Sequence, residues 1–310
     1  VMVALSNFSD MVRTAISEKA DIIFSGAGLP LDLPSYLRED STTKLVPIVS
    51  SARAARVICE KWKANYDYLP DALVVEGPKA GGHLGYKREQ IDNADYSLER
   101  IVPEVVSEVG RYEELYGRRI PVIAAGGLYT GEDIYRIMRL GATGVQLGSK
   151  FVTTEECDAS PTFKQTYIDS SKDDIEIIAS PVGMPGRAIG GEFIRRVKEG
   201  LMRPKKCPFH CIKTCDYTKS PYCIIMALYN AAKGNLSKGY AFCGANAYMS
   251  KKITSVRETI ESLKSEFAAA ATARRPCSDV FGRRASAGPL TEQYSGMMRV
   301  VFGYCFCLLE

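Results

Sequence analysis

Residues 76–85 read EGPKAGGHLG and hold His83, one of only two histidines in 310 residues. Ala72, Leu73, Val74 and Val75 precede them as a short apolar run of strand type. A glycine-loosened loop leaving a strand, with an imidazole at its tip, sets a proton acceptor beside a ligand. Gly81 and Gly82 let the backbone approach a flat group closely, which a Cβ would prevent. Histidine is the side chain whose unperturbed pKa lies nearest neutral pH. A turn histidine satisfied at the surface fits the same ten residues. Glu76 ends the strand and either orients an edge of the ligand or is a plain strand-end carboxylate.

Two more glycine loops carry a second chemistry. Residues 120–128, IPVIAAGGL, are a buried strand ending in Ala125, Gly126 and Gly127, and Thr130 to Asp133 then open a helix. Residues 144–151, GVQLGSKF, repeat the design with Gly148 and Ser149. Amides at a helix N-terminus bind phosphate, and glycine lets the phosphate come near. Loops of this kind after the seventh and eighth strands form the phosphate grip of a (β/α)8 barrel. One phosphate is therefore expected at Gly126, Gly127, Gly148 and Ser149, strengthened by two helix N-termini and the Ser149 hydroxyl. Gln146, on the eighth strand, points to the barrel interior, and Lys150 either pairs with the phosphate or is solvated.

A third constellation is cysteine. Cys207, Cys211, Cys215 and Cys223 give C-x3-C-x3-C-x7-C, with His210 inside and Cys243 beyond. Four thiolates this close can hold zinc or an iron–sulfur cluster. The spacing is neither a zinc ribbon nor a ferredoxin pattern, and free thiols are the simpler reading. Lys205, Lys206 and Lys213 surround the set and are expected to lower its thiol pKa values. Cys59 and Cys157, in helical contexts, read as packing residues.

The elements that must position these groups alternate. Strands are expected near 1–5, 21–25, 45–49, 72–76, 121–124 and 144–147. Helices with apolar spacing of three and four fall near 9–19, 51–66, 98–116 and 131–140. Such alternation implies a parallel sheet with helices over its faces. A doubly wound sheet satisfies it too, but Gly26-Ala27-Gly28 is followed by Leu29 and Pro30, which break the dinucleotide fingerprint. The phosphate loops favour the barrel. Counting back from them makes 1–5 the third strand, so the first two are expected to be missing. The expected organisation is a partial barrel over 1–158 and a mostly helical lid over 159–267. Within the lid, helices are expected at 161–171, 190–200, 220–233 and 253–267, and a strand at 174–179. Residues 180–188 read as a Pro/Gly loop with Arg187 near its end. Residues 268–310 hold five arginines but no lysine or isoleucine, and read as a disordered or foreign tail without chemistry.

The bulk numbers exclude other classes. A net charge of +4 without a basic block argues against nucleic acid. No apolar run is long enough to span a bilayer, and the first ten residues lack a secretory layout. Ten cysteines in an alternating strand and helix pattern read as reduced thiols of a cytoplasmic enzyme.

Five segments together resemble the nitronate monooxygenase family, formerly called 2-nitropropane dioxygenases. They are FSGAGLP (24–30), VEGPKAGGHLG (75–85), IAAGGL (123–128), VQLGSKFVTTEEC (145–157) and SPVGMPGRA (180–188). The same superfamily includes the flavin-dependent enoyl-acyl-carrier-protein reductase II, FabK, and the likeness covers about residues 1–267. It implies an α/β fold, a (β/α)8 TIM barrel binding FMN, in which His83 matches the histidine that faces the flavin. Gly126, Gly127, Gly148 and Ser149 match the flavin phosphate loops. Ser25, Gly26, Glu76, Gly81, Gly82, Ala125 and Gln146 complete the expected cofactor set. The implied reaction is oxidation of alkyl nitronates by O2 to a carbonyl compound and nitrite, with His83 as general base and charge stabiliser. NAD(P)H-dependent reduction of an enoyl thioester, with NAD(P)H as co-substrate, stays open, as does a truncated non-catalytic fragment. The partners expected are a small-molecule substrate and a second copy of the chain as a homodimer, with neither nucleic acid nor membrane.

Overall fold

A computed structural model describes residues 1–273 and 301–302. Its first part runs α1 (Phe8–Ser17), β1 (Ile22–Ser25), β2 (Lys44–Val49), α2 (Ala52–Tyr66), β3 (Leu73–Glu76) and β4 (Gly82–His83). It continues through α3 (Leu98–Tyr116), β5 (Val122–Ala125), α4 (Gly131–Met138), β6 (Gly144–Leu147) and α5 (Ser149–Val152). The second part holds α6 (Pro161–Asp169), β7 (Ile175–Ala179), β8 (Pro185–Ile189), α7 (Glu192–Lys198), α8 (Ile224–Ala232) and α9 (Val256–Ala273), and β9 is Val301–Phe302.

Strands β1, β2, β3, β5 and β6 lie side by side in that order, all parallel, with β9 parallel beside β6. Helices α2, α3 and α4 link consecutive strands. The sheet curls into a half-barrel. Alternate side chains of a strand point to opposite faces, and here both faces are apolar. Leu45, Val49, Leu73, Val75, Val122, Ala124, Val145 and Leu147 pack under the helices against Trp62, Ile58 and Ile134. Val46, Val74 and Ala125, with Phe24, Ile48 and Ile123 packed on them, form the concave face. Burial on both sides is why these strands read as near-continuous apolar runs. Local signals set the helix ends. Ser51 Oγ accepts the Ala54 N–H at the start of α2, Thr130 and Asp133 form a capping box on α4, and Gly117 closes α3 at φ +64°.

Residues 1–5 depart from expectation. They make single bridges, Met2 parallel to Gly26 and Leu5 antiparallel to Ile212, and no strand. Leu5 N–H donates to Met2 O, so the chain turns into α1 before a ladder can extend. In the second part, 180–188 is a loop only at its start. Pro185–Ile189 is a strand at the centre of a three-stranded antiparallel sheet, ordered β4-β8-β7. Proline is tolerated as a first strand residue, and a Cβ on Gly186 would lie 2.8 Å from the Phe242 ring. Helix α8 begins at Ile224, later than Ser220. Helix α9 runs to Ala273, so the compositional break at 268 falls inside a helix. The rest of the expected tail lies outside the described residues, apart from the backbone of β9. Among the described residues no helix is long and apolar enough to cross a membrane.

Helix α9 returns to the barrel. Leu263 is fully buried with the sheet's helix-side core, and the Gly131 N–H at the start of α4 donates to Glu266 Oε2 at 2.7 Å. A Cβ on Gly131 would collide with Leu263 O and Phe267 N.

Candidate active site

The glycine loops share one edge because parallel strands end on the same side. Register pairs Glu76 with Ala125 and Ala125 with Gln146, so these three form a row on the concave face. Among the described residues the Glu76 carboxylate has no hydrogen-bond or ion-pair partner, and burial pushes its pKa up to about 7. Gly26 lies against Ile48, which packs on the concave face; a Cβ on Gly26 would lie 3.0 Å from Ile48 Cδ1. Ser25 is a correction. It falls in register with Pro47, in the same alternation as Ile23 and Leu45, which sit under the helices. Its hydroxyl is buried there without a partner, so Ser25 does not face a concave-side cofactor.

His83 is held from several sides. Its Nε2 lies 2.6 Å from Ser180 Oγ, and its ring packs edge-on against Phe242 with centroids 5.1 Å apart. Ser180 Oγ also accepts the Val182 N–H at 3.3 Å. The Tyr222 hydroxyl donates to Ala179 O at 3.4 Å and lies 3.0 Å from the Tyr240 hydroxyl. The Tyr222 and Tyr240 hydroxyls thus lie in an aromatic cluster beside the backbone that carries Ser180. Burial lowers the His83 pKa to about 4, well below what its residue type suggests. Gly82 is left-handed at φ +72°, and a Cβ on Gly81 would lie 2.6 Å from the Cys243 carbonyl carbon. Arg187, 6% exposed, donates from one guanidinium nitrogen to Pro78 O at 2.6 Å and Ala80 O at 2.8 Å. It fixes the loop before the histidine.

The loops expected to bind phosphate meet at the same edge. Gly126 and Gly127 are left-handed, at φ +94° and +82°. A Cβ on Gly126 would lie 2.9 Å from Gly77 O, and one on Gly127 would lie 2.7 Å from Lys79 Cβ. The amides of Gly126, Gly127 and Gly148 have no acceptor among the described residues. The contribution expected from two helix N-termini is smaller than supposed. The α4 amide end is already satisfied, with Tyr129 and Thr130 N–H on Asp133 Oδ2 and Gly131 N–H on Glu266. Helix α5 is a single turn. Lys150 neither pairs there nor extends into solvent, since its Nζ sits 4.4 Å from the Tyr129 ring centroid.

Residues 243–246 were not anticipated as part of this edge. Gly244 N–H donates to Ser149 Oγ at 2.8 Å, Asn246 Nδ2 to Gly127 O at 2.7 Å, and Ala245 N–H to Lys79 O at 3.0 Å. The segment ties the loops after β3, β5 and β6 together. Its only sequence signal is a glycine among small and polar residues. Ser180, Tyr222 and Phe242 gave none, because they lie about a hundred residues or more from His83 along the chain.

The concave face fits a flat cofactor with a phosphate tail. Phe24, Ile48 and Ile123 offer an apolar floor, Glu76 an acceptor for a ring or hydroxyl donor, and the glycine amides N–H donors without an acceptor among the described residues. The four lid cysteines are partly buried thiols. Among the described residues no three His, Cys, Asp or Glu side chains are placed to hold a metal ion. At Cys211 and Cys215 the lysines do not produce the expected lowering. Burial raises both thiol pKa values, and Lys213 Nζ donates to Val3 O instead. Cys59 and Cys157 are buried, as packing residues should be.

The nitronate monooxygenase family profile matches residues 2–266. A probable nitronate monooxygenase of Staphylococcus saprophyticus is 28% identical over 200 residues, covering 64% of this chain and 52% of the relative. Another, of Staphylococcus haemolyticus, is 33% identical over 198 residues, covering 62% and 50%. The chain spans about half the length of these curated relatives. FabK from Thermotoga maritima superimposes with a TM-score of 0.68 at 26% identity, over 89% of this chain and 76% of its own. Nitroalkane oxidase from Streptomyces ansochromogenes does so with a TM-score of 0.64 at 21% identity, over 86% and 69%, a likeness of fold. With the family's pattern matched from its second residue to the middle of α9, the chain belongs to the nitronate monooxygenase family.

Proposed function

We propose that this chain binds FMN on the concave face and oxidises nitroalkanes, through their nitronates, with O2 to a carbonyl compound and nitrite. The observation that carries the reading is His83, half-buried at the sheet's carboxyl edge with Nε2 on Ser180. When bound, FMN supplies the electron transfer and oxygen chemistry that no side chain provides. The glycine amides of the loops after β5 and β6 would hold its phosphate, and Glu76 would accept from a donor on its ring or chain.

The chain's own residues handle the proton. With a pKa near 4, His83 is neutral at working pH and can take the proton from the carbon beside the nitro group. The product pair is an imidazolium beside an anionic nitronate, and that opposite charge raises the His83 pKa in the complex. Ser180 fixes the ring through Nε2, so Nδ1 is the nitrogen it leaves unengaged. Phe242 and the lid sheet cover the histidine and keep water from competing for the proton. His83→Asn should therefore lower turnover of neutral nitroalkane by about 100-fold or more, within the range of general-base catalysis. Turnover of preformed nitronate should fall far less. Equal losses on both substrates would overturn the general-base role.

A second reading is NAD(P)H-dependent reduction of an enoyl thioester with His83 as proton donor, favoured by the 26% identity to FabK over most of this chain. Steady-state assays separate the two. Oxygen consumption with an alkyl nitronate supports the first, and NADH oxidation driven by an enoyl thioester supports the second. Protein that purifies colourless and takes up no added FMN would sink both.

A further inference from the structure

The cradle of glycine amides is short of charge. A phosphate monoester such as that of FMN carries about −1.5 to −2 near neutral pH, yet the open amides of Gly126, Gly127 and Gly148 are neutral donors. The α4 end is taken by Asp133 and Glu266, and the single turn of α5 lends little dipole. Lys150, beside Ser149 in the chain, lies over the Tyr129 ring instead.

Lys79, on the loop after β3, stands against this cradle. Hydrogen bonds fix the backbone around it. Arg187 Nη1 donates to Pro78 O at 2.6 Å and to Ala80 O at 2.8 Å, the carbonyls on either side, and Ala245 N–H donates to Lys79 O at 3.0 Å. The Lys79 stem lies on Gly127, where a Cβ would come within 2.7 Å of Lys79 Cβ, 3.0 Å of Cδ and 3.4 Å of Cγ. A Cβ on Gly126 would likewise lie 3.0 Å from Ala80 N. The loop after β3 is thus packed on the glycine pair after β5. The ammonium itself has no work within the fold. Lys79 is exposed, and among the described residues its side chain makes no hydrogen bond, ion pair or ring contact. Glu76 does not claim it, because burial alone displaces that carboxylate. An unpaired cation on a fixed base, beside amides that lack acceptors, is preorganised for an anion.

We propose that Lys79 is the cation of the phosphate cradle and selects a flavin that carries a phosphate over one that does not. The proposal rests on the FMN reading and adds a residue to it. The glycine amides set where phosphate oxygens sit, and the lysine ammonium supplies a point charge from a flexible stem. Arg187 acts only through the carbonyls of residues 78 and 80, so it is a positioning residue for Lys79. Gly127 gains a second reason to be glycine. A side chain there would displace the Lys79 stem as well as strain a φ of +82°.

The test is flavin binding to the flavin-free full chain, read as quenching of flavin fluorescence with FMN and, in parallel, with riboflavin. The wild-type chain should bind FMN more tightly than riboflavin, by a margin that narrows as salt rises. Lys79→Met keeps a stem over Gly127 and removes the charge. It should weaken FMN binding about 10-fold or more, the loss of one hydrogen bond to a charged group, and leave riboflavin binding unchanged. Lys79→Arg should keep most of the FMN affinity. On the wild-type chain, acetylation mapped by mass spectrometry should show Lys79 protected by FMN and not by riboflavin. That arm decides the matter even where variants precipitate. Wild-type FMN affinity in Lys79→Met, equal losses for both flavins, or Lys79 acetylated equally with and without FMN would overturn the proposal and leave the FMN reading standing. A wild-type chain that binds neither flavin would overturn the FMN reading and the role of Lys79 with it.

Discussion

At the scale of single residues, burial displaces two ionisable groups in opposite directions. Glu76 is pushed up to about 7 and His83 down to about 4, both by loss of water rather than by a charged neighbour. The folded chain therefore holds the Glu76 proton more tightly than the unfolded chain, whose carboxyl titrates at 4.5. By linkage this costs nothing below about pH 4.5, grows as the pH rises, and is complete above about 7. Glu76→Gln should thus raise the melting temperature of flavin-free protein at pH 8, with the gain gone by about pH 4. No gain at pH 8 would mean that the carboxylate has a stabilising partner. His83 works in the other direction. Its folded pKa lies below the unfolded 6.5, so its cost appears as pH falls below about 6.5 and is complete below about 4. His83→Asn should flatten that part of the acid limb. Both residues were legible in the sequence because strand end and glycine loop adjoin them. Ser180 was not, since the hydrogen bond joining it to His83 spans 97 positions.

At the scale of elements, the loops after β5 and β6 are the parts most open to test. Gly127→Val must place a β-branched side chain at φ +82° and against Lys79. Gly148→Val places a β-branched side chain at the N-cap of α5, beside the amide offered to the phosphate. Either should abolish FMN retention while circular dichroism shows most helix intact. Ser149→Ala should be milder, since one hydrogen bond to a charged group is worth about 1.5–3 kcal/mol and several donors share the phosphate. Glycine variants that purify with full FMN would remove the phosphate assignment. These loops could be read from sequence because strand, glycine pair and helix cap are consecutive. The lid hairpin could not, because Pro185 and Gly186 have loop propensity and become a strand only by pairing with β4 and β7.

At the scale of the whole molecule, α9 closes the chain on itself. It comes from the far end of the lid and seats Leu263 in the barrel's helix-side core. Leu263→Ala should cost about 2–5 kcal/mol, the usual range for a buried leucine. Gly131→Ala should also destabilise, because its Cβ has no space against the α9 backbone. Urea unfolding should move in one transition for both variants, since the same core holds barrel and α9. A separate early transition would show that α9 docks independently.

The sequence by itself determined the parallel alternation, five of its strands to within a residue or two, the helices between them, and the three glycine loops. Those properties are local, written as period, cap and turn within a few consecutive residues. Only the tertiary structure decided which face each strand-end residue occupies, moving Ser25 under the helices and Glu76 onto the concave side. It also brought Ser180, Arg187 and residues 243–246 to the histidine loop, and left 1–5 with two isolated bridges, to Gly26 and to Ile212. Such placements depend on pairing between segments far apart in the chain. No local pattern records them, because their free energy arises only when both partners are buried together.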